Sequence, residues 1–341
     1  MHKSLHSEIR LQLNISPAGP VLIKAGESDA DPTKPDMSFV RTIAHGRPEV
    51  YFPGSSLKGV LRAHCERIAR TVDSPDRRKK YQLPLACNPA MLDKDAGRDP
   101  LKPNYQCGTA LDKEAQERKK AKKTFSSADI HQRSCFLCLM FGNTSLASHV
   151  HVSDAYALGD YRTEERNGVA IDRIFGSVAV GPFNYETLVS GNFRTELSIK
   201  NFTIAQLGLL FLALRDLSAE RVRLGFAKSR GLGLIHLRVE ELQLRYPSCA
   251  LSGDDFSLVG RGVLKSGKKR IFGIGEFIDK AEGYNYPSPD NIPFPDGYEY
   301  LSDGWLGSEI IVKGSDDKEA DWQPLAKHCV PKWREEVEHG L

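Results

Sequence analysis

The sequence has no apolar run able to cross a bilayer. The longest, Leu207–Leu214, falls far short of the roughly 20 residues that a spanning helix needs. Neither charge dominates: 47 Lys and Arg face 44 Asp and Glu, a formal net of +3. That excludes a histone-like polycation, though not a nucleic-acid binder that gathers its basic residues on one surface. Cysteine is scarce and odd in number, at seven. The opening MHKSLHSEIR lacks the apolar core of an export signal, so a cytoplasmic protein is expected, with thiols or metal ligands rather than a disulfide framework. The histidines are scattered, and His45, His64, His149 and His151 have no obvious partner in sequence. No internal repeat is visible. A chain that is 40% hydrophobic and 9% aromatic is too apolar to be disordered throughout.

What is present is a set of short periodic segments. Ile9, Leu11, Leu13 and Ile15 alternate and predict a half-buried strand over Glu8–Ile15. Residues 16–52 read as loop and short extended pieces, with Pro17, Pro20, Pro32, Pro35 and Pro48. Pro53-Gly54-Ser55-Ser56 suggests a turn and a serine N-cap before a helix over about 56–71. His149–Ser153 is a short strand, residues 158–190 a projecting hairpin, and Phe193–Ile199 another strand. Leu207, Leu210, Phe211, Leu214 and Leu217 have helical spacing. Ile235, Leu237 and Val239 alternate, then the phase slips to Leu242, Leu244 and Tyr246, which predicts a β-bulge near Glu240–Glu241. Without insertions the order is strand, helix, strand, strand, helix, strand. The expectation is an α+β fold, a ferredoxin-like (RRM-like) βαββαβ palm.

This divides the chain into a core of residues 1–72 and 139–250, a basic insertion at 73–138, the hairpin at 158–190 within the core, and an extension at 251–341. The insertion has no clear periodicity, so something must staple it. Cys135-Phe-Leu-Cys138 is a CxxC pair, and Cys87 and Cys107 lie upstream in the same segment. Four thiolates in two halves suit tetrahedral structural zinc, with His131 as the reserve ligand. Cys65, Cys249 and Cys329 read as ordinary side chains. The extension carries Trp305, Trp322 and Trp333, which argues that it packs on the body.

Three places suit anions or cations. A helix start crowded with Gly54, Ser55, Ser56, Lys58 and Gly59 offers free N–H groups, hydroxyls and a lysine. Gly225-Phe-Ala-Lys228-Ser229-Arg230-Gly-Leu-Gly233 either brings backbone N–H groups and two cations to phosphates or is a plain tight turn. Asp29, Asp31 and Asp36 either hold a hard cation or simply favour turns. Basic runs at 77–80, 118–123 and 265–270 contact phosphates or face solvent, and 118–123 reads as an exposed helix.

Four pieces together resemble one family: Tyr51-Phe-Pro-Gly-Ser-Ser-Leu-Lys-Gly-Val-Leu-Arg62, the segment from Cys135 through Gly142 to Ser153-Asp154-Ala155, the hairpin around Arg166–Phe183, and Gly225–Gly233. They are similar to the RAMP superfamily, and within it to the backbone subunit of type III CRISPR effector complexes, over roughly residues 5–246. The resemblance implies a palm, a β-hairpin thumb, and stacking along CRISPR RNA beside other RAMP and large subunits, with no membrane partner. It implies a guide-backbone grip by Ser55, Ser56, Lys58 and Arg62, with Lys228, Ser229 and Arg230 opposite. It implies a thumb, including Arg166, Arg173, Ile174 and Phe175, that kinks the duplex of guide and complementary target RNA. It also implies a loop aspartate for Mg²⁺- or Mn²⁺-dependent cleavage of that target; Asp36 matches best, with Asp29 and Asp31 as rivals. Three other readings stay open: an architectural subunit that does not cut, a nuclease that processes precursor CRISPR RNA, and a zinc-stabilised DNA-binding or interaction module.

Overall fold

Strand β1 (Glu8–Pro17) forms where the apolar residues alternate, and Ile9, Leu11, Leu13 and Ile15 are all buried. The computed structural model describes residues 4–26, 35–44, 46–88, 99–102, 104–252, 255–259, 262–263, 270–302, 305, 307–315 and 318–339. Asp29 and Asp31, and all of the 265–270 basic run except Arg270, lie outside the described residues.

The 16–52 segment contains a hairpin that the sequence pattern does not announce, β2 (Arg41–Ala44) and β3 (Arg47–Val50). Ile43 is exposed on its outer side and Pro48 interrupts it, so no alternation of apolar and polar residues is visible. Helix α1 (Gly54–Val72) follows. It starts two residues before the expected point, and its N-cap is Pro53, with no side-chain cap from a serine. The insertion is helical: α2 (Pro75–Tyr81), α3 (Cys107–Lys120), α4 (Ser127–Gln132) and α5 (Phe136–Phe141).

Strands β4 (Val150–Val152) and β5 (Tyr156–Ala157) lead into a long hairpin, β6 (Arg162–Ile171) and β7 (Val178–Ser190), which form a two-stranded sheet of their own, with single bridges from β7 to Val21 and Met37. Strand β8 (Phe193–Lys200), helix α6 (Ile204–Ser218) and strand β9 (Ile235–Tyr246) complete the core. Thr203 and Gln206 form a capping box at the start of α6.

The tail adds small sheets, with β10 (Cys249–Ser252), β11 (Asp255–Leu258) and β12 (Gly262–Val263) in one and β13 (Arg270–Phe272) and β14 (Asn291–Pro293) in another. Strands β15 (Leu301–Ser302) and β16 (Ser308–Lys313) and helix α7 (Gln323–His339) end it.

The main sheet runs β15-β16-β9-β1-β8-β4, with β5 also on β8, and every pair is antiparallel. The protein is therefore a mixed α+β fold. The bulge falls where the phase slips: Gln12 faces Glu241 and Leu13 faces Val239, leaving Glu240 as the extra residue. Its carbonyl accepts from Gly314 N at 2.8 Å, and its carboxylate from Asn14 Nδ2 and Arg194 Nε.

The tail is built into this body. Strand β16 extends the sheet beside β9, and α7 packs on α6. A Cβ on Gly208 would stand 2.4 Å from the Cys329 carbonyl, so glycine sets how closely the two helices approach. Trp322 and Trp333 are buried as expected of a packed tail, while Trp305 is exposed. The tail also holds the insertion: Phe136 packs on Trp333 with centroids 5.1 Å apart, and Ser127 Oγ lies 2.9 Å from Tyr284 Oη.

Candidate nucleic-acid interface and metal centre

The start of α1 is wedged against the strand layer. A Cβ on Gly54 would come within 2.2 Å of the Val152 carbonyl, so only glycine fits there. The Asp154 carboxylate accepts from Gly54 N at 2.7 Å and supplies the cap from a hundred residues away. Ser56 N and Leu57 N donate to the Pro53 carbonyl. Ser55 is exposed and Ser56 half-buried. Partial burial, then the nearby Arg62, holds Lys58 below the usual lysine value. Partial burial, then Lys200 and Lys58, does the same to His151 on β4. Lys58 and Lys200, the latter 3.7 Å from the Glu8 carboxylate, thus place positive charge near the helix start, with His151 favoured in its neutral form. Sequence inspection missed Asp154, His151 and Lys200, because their partners are distant in the chain.

The glycine-rich loop is a rigid turn. Gly225, Ala227, Gly231 and Gly233 have φ between +51° and +91°. A Cβ on Gly225 would meet the Leu22 carbonyl at 2.2 Å, and Phe226 N donates to that carbonyl at 2.7 Å. Lys228, Ser229 and Arg230 are exposed, and the Arg230 guanidinium lies 5.2 Å above the Phe226 ring.

This loop forms one wall of a cleft of about 120 Å³ lined by Met37, Phe183, Tyr185, Phe226, Arg230 and Leu232, among others. The opposite side is the middle of the β6–β7 hairpin and the loop that carries Asp36. Asp36 Oδ2 accepts from Asn184 N at 2.8 Å. Met37 N donates to the Asn184 carbonyl and accepts Glu186 N on its own carbonyl. Glu186 in turn accepts from Phe39 N and from both terminal nitrogens of Arg41. Burial alone would raise the Glu186 carboxyl, but the Arg41 fork and the Phe39 amide bring it below the usual value. The loop of Asp36, through Met37, thus meets the hairpin and Arg230 at this cleft, and Asp36 itself is bonded to the hairpin at Asn184. Aromatic faces and one guanidinium suit a base and its phosphate.

The hairpin tip is apolar and open, with Ile174 and Phe175 82% and 83% exposed. Asp172 Oδ1 fixes the turn by accepting from Ile174 N and Phe175 N. Arg173 is exposed at the same tip, while Arg166 lies along β6 and pairs with Glu164. The open face of the main sheet carries both signs, with Arg10, Arg194, Arg238 and Arg245 among Glu196, Glu241 and Glu309. It offers less to a phosphate chain than the edge just described.

The insertion carries four cysteines placed so that they could hold a metal ion. The sulfurs of Cys87, Cys107, Cys135 and Cys138 lie within 4.8 Å of one another, and all four residues are buried. Cys87 Sγ and Cys138 Sγ are 3.7 Å apart. Sulfurs at the corners of a tetrahedron around zinc, each about 2.3 Å from the ion, stand about 3.8 Å apart. Amides of Cys87, Cys135 and Cys138 donate to neighbouring sulfurs, as they do around thiolate ligands. Burial, with the other thiols crowded around it, pushes the Cys135 thiol up, so bare thiolates do not suit this pocket and a dication does. The four cysteines can hold a zinc ion. His131 is not among them: its ring sits against Tyr284 and Tyr286.

Arg62 belongs to this centre rather than to the helix start. It donates to Glu66, to the Gly142 carbonyl at 3.1 Å and to Cys138 Sγ at 3.8 Å. The first two basic runs also split by residue type. Arg77 and Arg78 are tied to Asp73, and Arg118 to Glu114 and Asp129, while Lys79, Lys80, Lys119, Lys120, Lys122 and Lys123 are exposed.

The family model of the RAMP superfamily matches residues 15–236. The chain belongs to the RAMP superfamily. RAMP proteins are CRISPR-associated and bind RNA. The matched span runs from β1 into β9 and contains α1, the metal centre, the hairpin and the glycine-rich loop, while most of the tail lies beyond it. No curated protein matches the chain. Among the described residues, no helix is long and apolar enough to cross a membrane.

Proposed function

We propose that this RAMP protein is a CRISPR RNA-binding backbone subunit of a type III effector complex, acting in antiviral defence, and that it contributes metal-dependent cleavage of guide-paired target RNA. The observation that carries this reading is the cleft that joins the Asp36 loop, the middle of the hairpin and Arg230. The strand order β9-β1-β8-β4 supports reading the core as a ferredoxin-like palm, with β6–β7 as its thumb. The division into core, zinc-stapled insertion and extension stands as part of the proposal, as do a cytoplasmic location and assembly with other RAMP and large subunits.

The chemistry follows from what phosphates and bases offer. Backbone contacts hold any guide sequence, and pairing selects the target. Ser55, Ser56 and Lys58 at the α1 start, and Lys228, Ser229 and Arg230 at the loop, grip the guide. Ile174 and Phe175, beside Arg173, press into the duplex. A nucleotide splayed out of the stack can set its 2′-OH in line with the adjacent phosphorus. Asp36, held by Asn184 N through one oxygen, accepts the hydroxyl proton or orders a hydrated cation. Mg²⁺ or Mn²⁺ bound there supplies positive charge to the phosphate.

The Asp36–Asn184 bond also suits an architectural subunit that binds RNA without cutting. Assembled complexes carrying wild-type chain or Asp36→Ala separate the two. Target cleavage should vanish in the variant while guide binding persists. Wild-type cutting by Asp36→Ala, or joint loss of cutting and guide binding, contradicts the assignment. Asp29→Ala and Asp31→Ala run beside it test the two rivals.

A further inference from the structure

We propose that the lysine knob at the end of α3, formed by Lys119, Lys120, Lys122 and Lys123, is a second phosphate-binding surface for RNA that continues beyond the palm. This rests on the RNA-binding reading above and extends its footprint.

Charge is unevenly distributed along the chain. Residues 73–138 hold 14 Lys and Arg against 9 Asp and Glu, while the rest of the chain is slightly acidic. Within that segment the arginines build structure. Arg77 and Arg78 hold the buried Asp73, and Arg118 and Arg133 share Glu114 and Asp129. The lysines of the two basic runs face out. All four in the knob are exposed, on a helix end fixed by Arg118, which donates to the Thr124 carbonyl and covers the Phe125 ring.

The backbone adds an independent observation. Lys123 N donates to the Arg118 carbonyl and Lys122 N to the Lys119 carbonyl, which is the glycine-type helix stop. Yet the residue in the left-handed position is Lys122, at φ +54°. A side chain there costs free energy that glycine avoids. The helix dipole accounts for basic residues in the last turn of α3. It gives no reason to place a lysine where the backbone favours glycine. Gln82 after α2 and Glu220 after α6 hold the same left-handed position, so the site takes a polar side chain, and at α3 that side chain adds a further cation to the knob.

The knob is also held at a defined place. Helix α3 begins at Cys107, a member of the sulfur cluster, so the metal centre fixes the root of the helix and the lysines stand at its other end. The insertion sits at the far end of α1, where Arg70 donates to the Cys87 carbonyl at 2.8 Å. From Gly54 to Arg70 the helix rises about 24 Å. A strand rising about 3.4 Å per nucleotide covers that distance in about seven. A six-nucleotide strand held at the helix start is shorter than this rise, and a thirty-nucleotide strand is several times longer, so the two lengths separate the palm from the knob.

The test uses the full-length chain and two unstructured single-stranded RNAs, of about six and about thirty nucleotides, titrated across salt. Replacing all four lysines by Gln should weaken the long RNA about tenfold at low salt and lower its log K against log[salt] slope by about one to three, at roughly 0.7 for each phosphate no longer neutralised. Binding of the short RNA should not change. Lys122→Gly, which relaxes the backbone and removes one charge, should lower the long-RNA slope by about 0.7 with no loss of thermal stability. Unchanged slopes for the long RNA overturn the proposal, as does equal weakening of both RNAs. If the wild-type chain binds neither RNA, the RNA-binding reading fails and the knob's role fails with it.

Discussion

Arg62 and Cys138 meet, with Nη2 of the guanidinium 3.8 Å from the sulfur. This contact joins the palm helix to the metal centre of the insertion. The same guanidinium holds Glu66 and the Gly142 carbonyl. Lysine cannot reproduce that fork. Arg62→Lys should lower unfolding stability by about 2 kcal/mol, read by denaturant titration, and should leave affinity for a short single-stranded RNA unchanged. A selective loss of RNA affinity at full stability would return Arg62 to the guide-binding surface.

Zinc should copurify at one ion per chain. Chelation should lower the thermal midpoint, because binding to a site absent in the unfolded chain is folding free energy. Cys138→Ser should lose the ion, and Cys249→Ser should keep it, since Cys249 lies outside the cluster. Metal analysis and thermal melts on the two variants check this.

The wedge at Gly54 and the Asp154 cap make opposite predictions for RNA. Gly54→Ala forces a Cβ against the Val152 carbonyl and should cost about 3 kcal/mol of stability, weakening RNA binding as the helix start shifts. Asp154→Ala removes a cap and should cost about 1 kcal/mol. Asp154→Asn keeps an acceptor for Gly54 N and removes a negative charge from the helix start, so RNA should bind more tightly at low salt. Weaker binding by Asp154→Asn would show that phosphates do not approach there.

Glu186 gives a pH signature. Its carboxyl is held below its ordinary 4.5, so the folded state binds this proton less readily than the unfolded chain. Its contribution to stability is complete above pH 4.5 and is lost as the pH falls through the lower folded value. Glu186→Gln should be about 2 kcal/mol less stable at pH 7, with the deficit shrinking in acid below pH 4.5. A deficit constant with pH would mean that the Arg41 pair contributes nothing through charge.

Parts of the molecule were legible in the sequence because their cause is local. Alternation over Glu8–Ile15 and the phase slip at Glu240 record which side chains must be buried. The CxxC pair and its two upstream cysteines announce ligand chemistry directly. Of helix α3 only the basic end, within the 118–123 run, was legible as a helix, because only Cys107 and Leu111 are buried along it, too few to set a period. The Asp154 cap was hidden because it closes a contact between distant segments. Nothing in the spacing of Gly54–Arg62 separates Lys58, beside the helix start, from Arg62, turned to the cysteines. That division comes from packing.

The most direct test is salt-dependent binding of single-stranded RNA to the purified chain and to a Lys58→Ala, Lys228→Ala, Arg230→Ala triple variant. Binding should be tight at low salt, insensitive to base sequence, and steeply weakened as salt rises. The triple variant should lose most of the affinity and about two units of slope, at roughly 0.7 for each cation removed. A wild-type chain that ignores RNA at low salt, or a triple variant that binds like wild type, would contradict a grip built from the helix start and the glycine-rich loop.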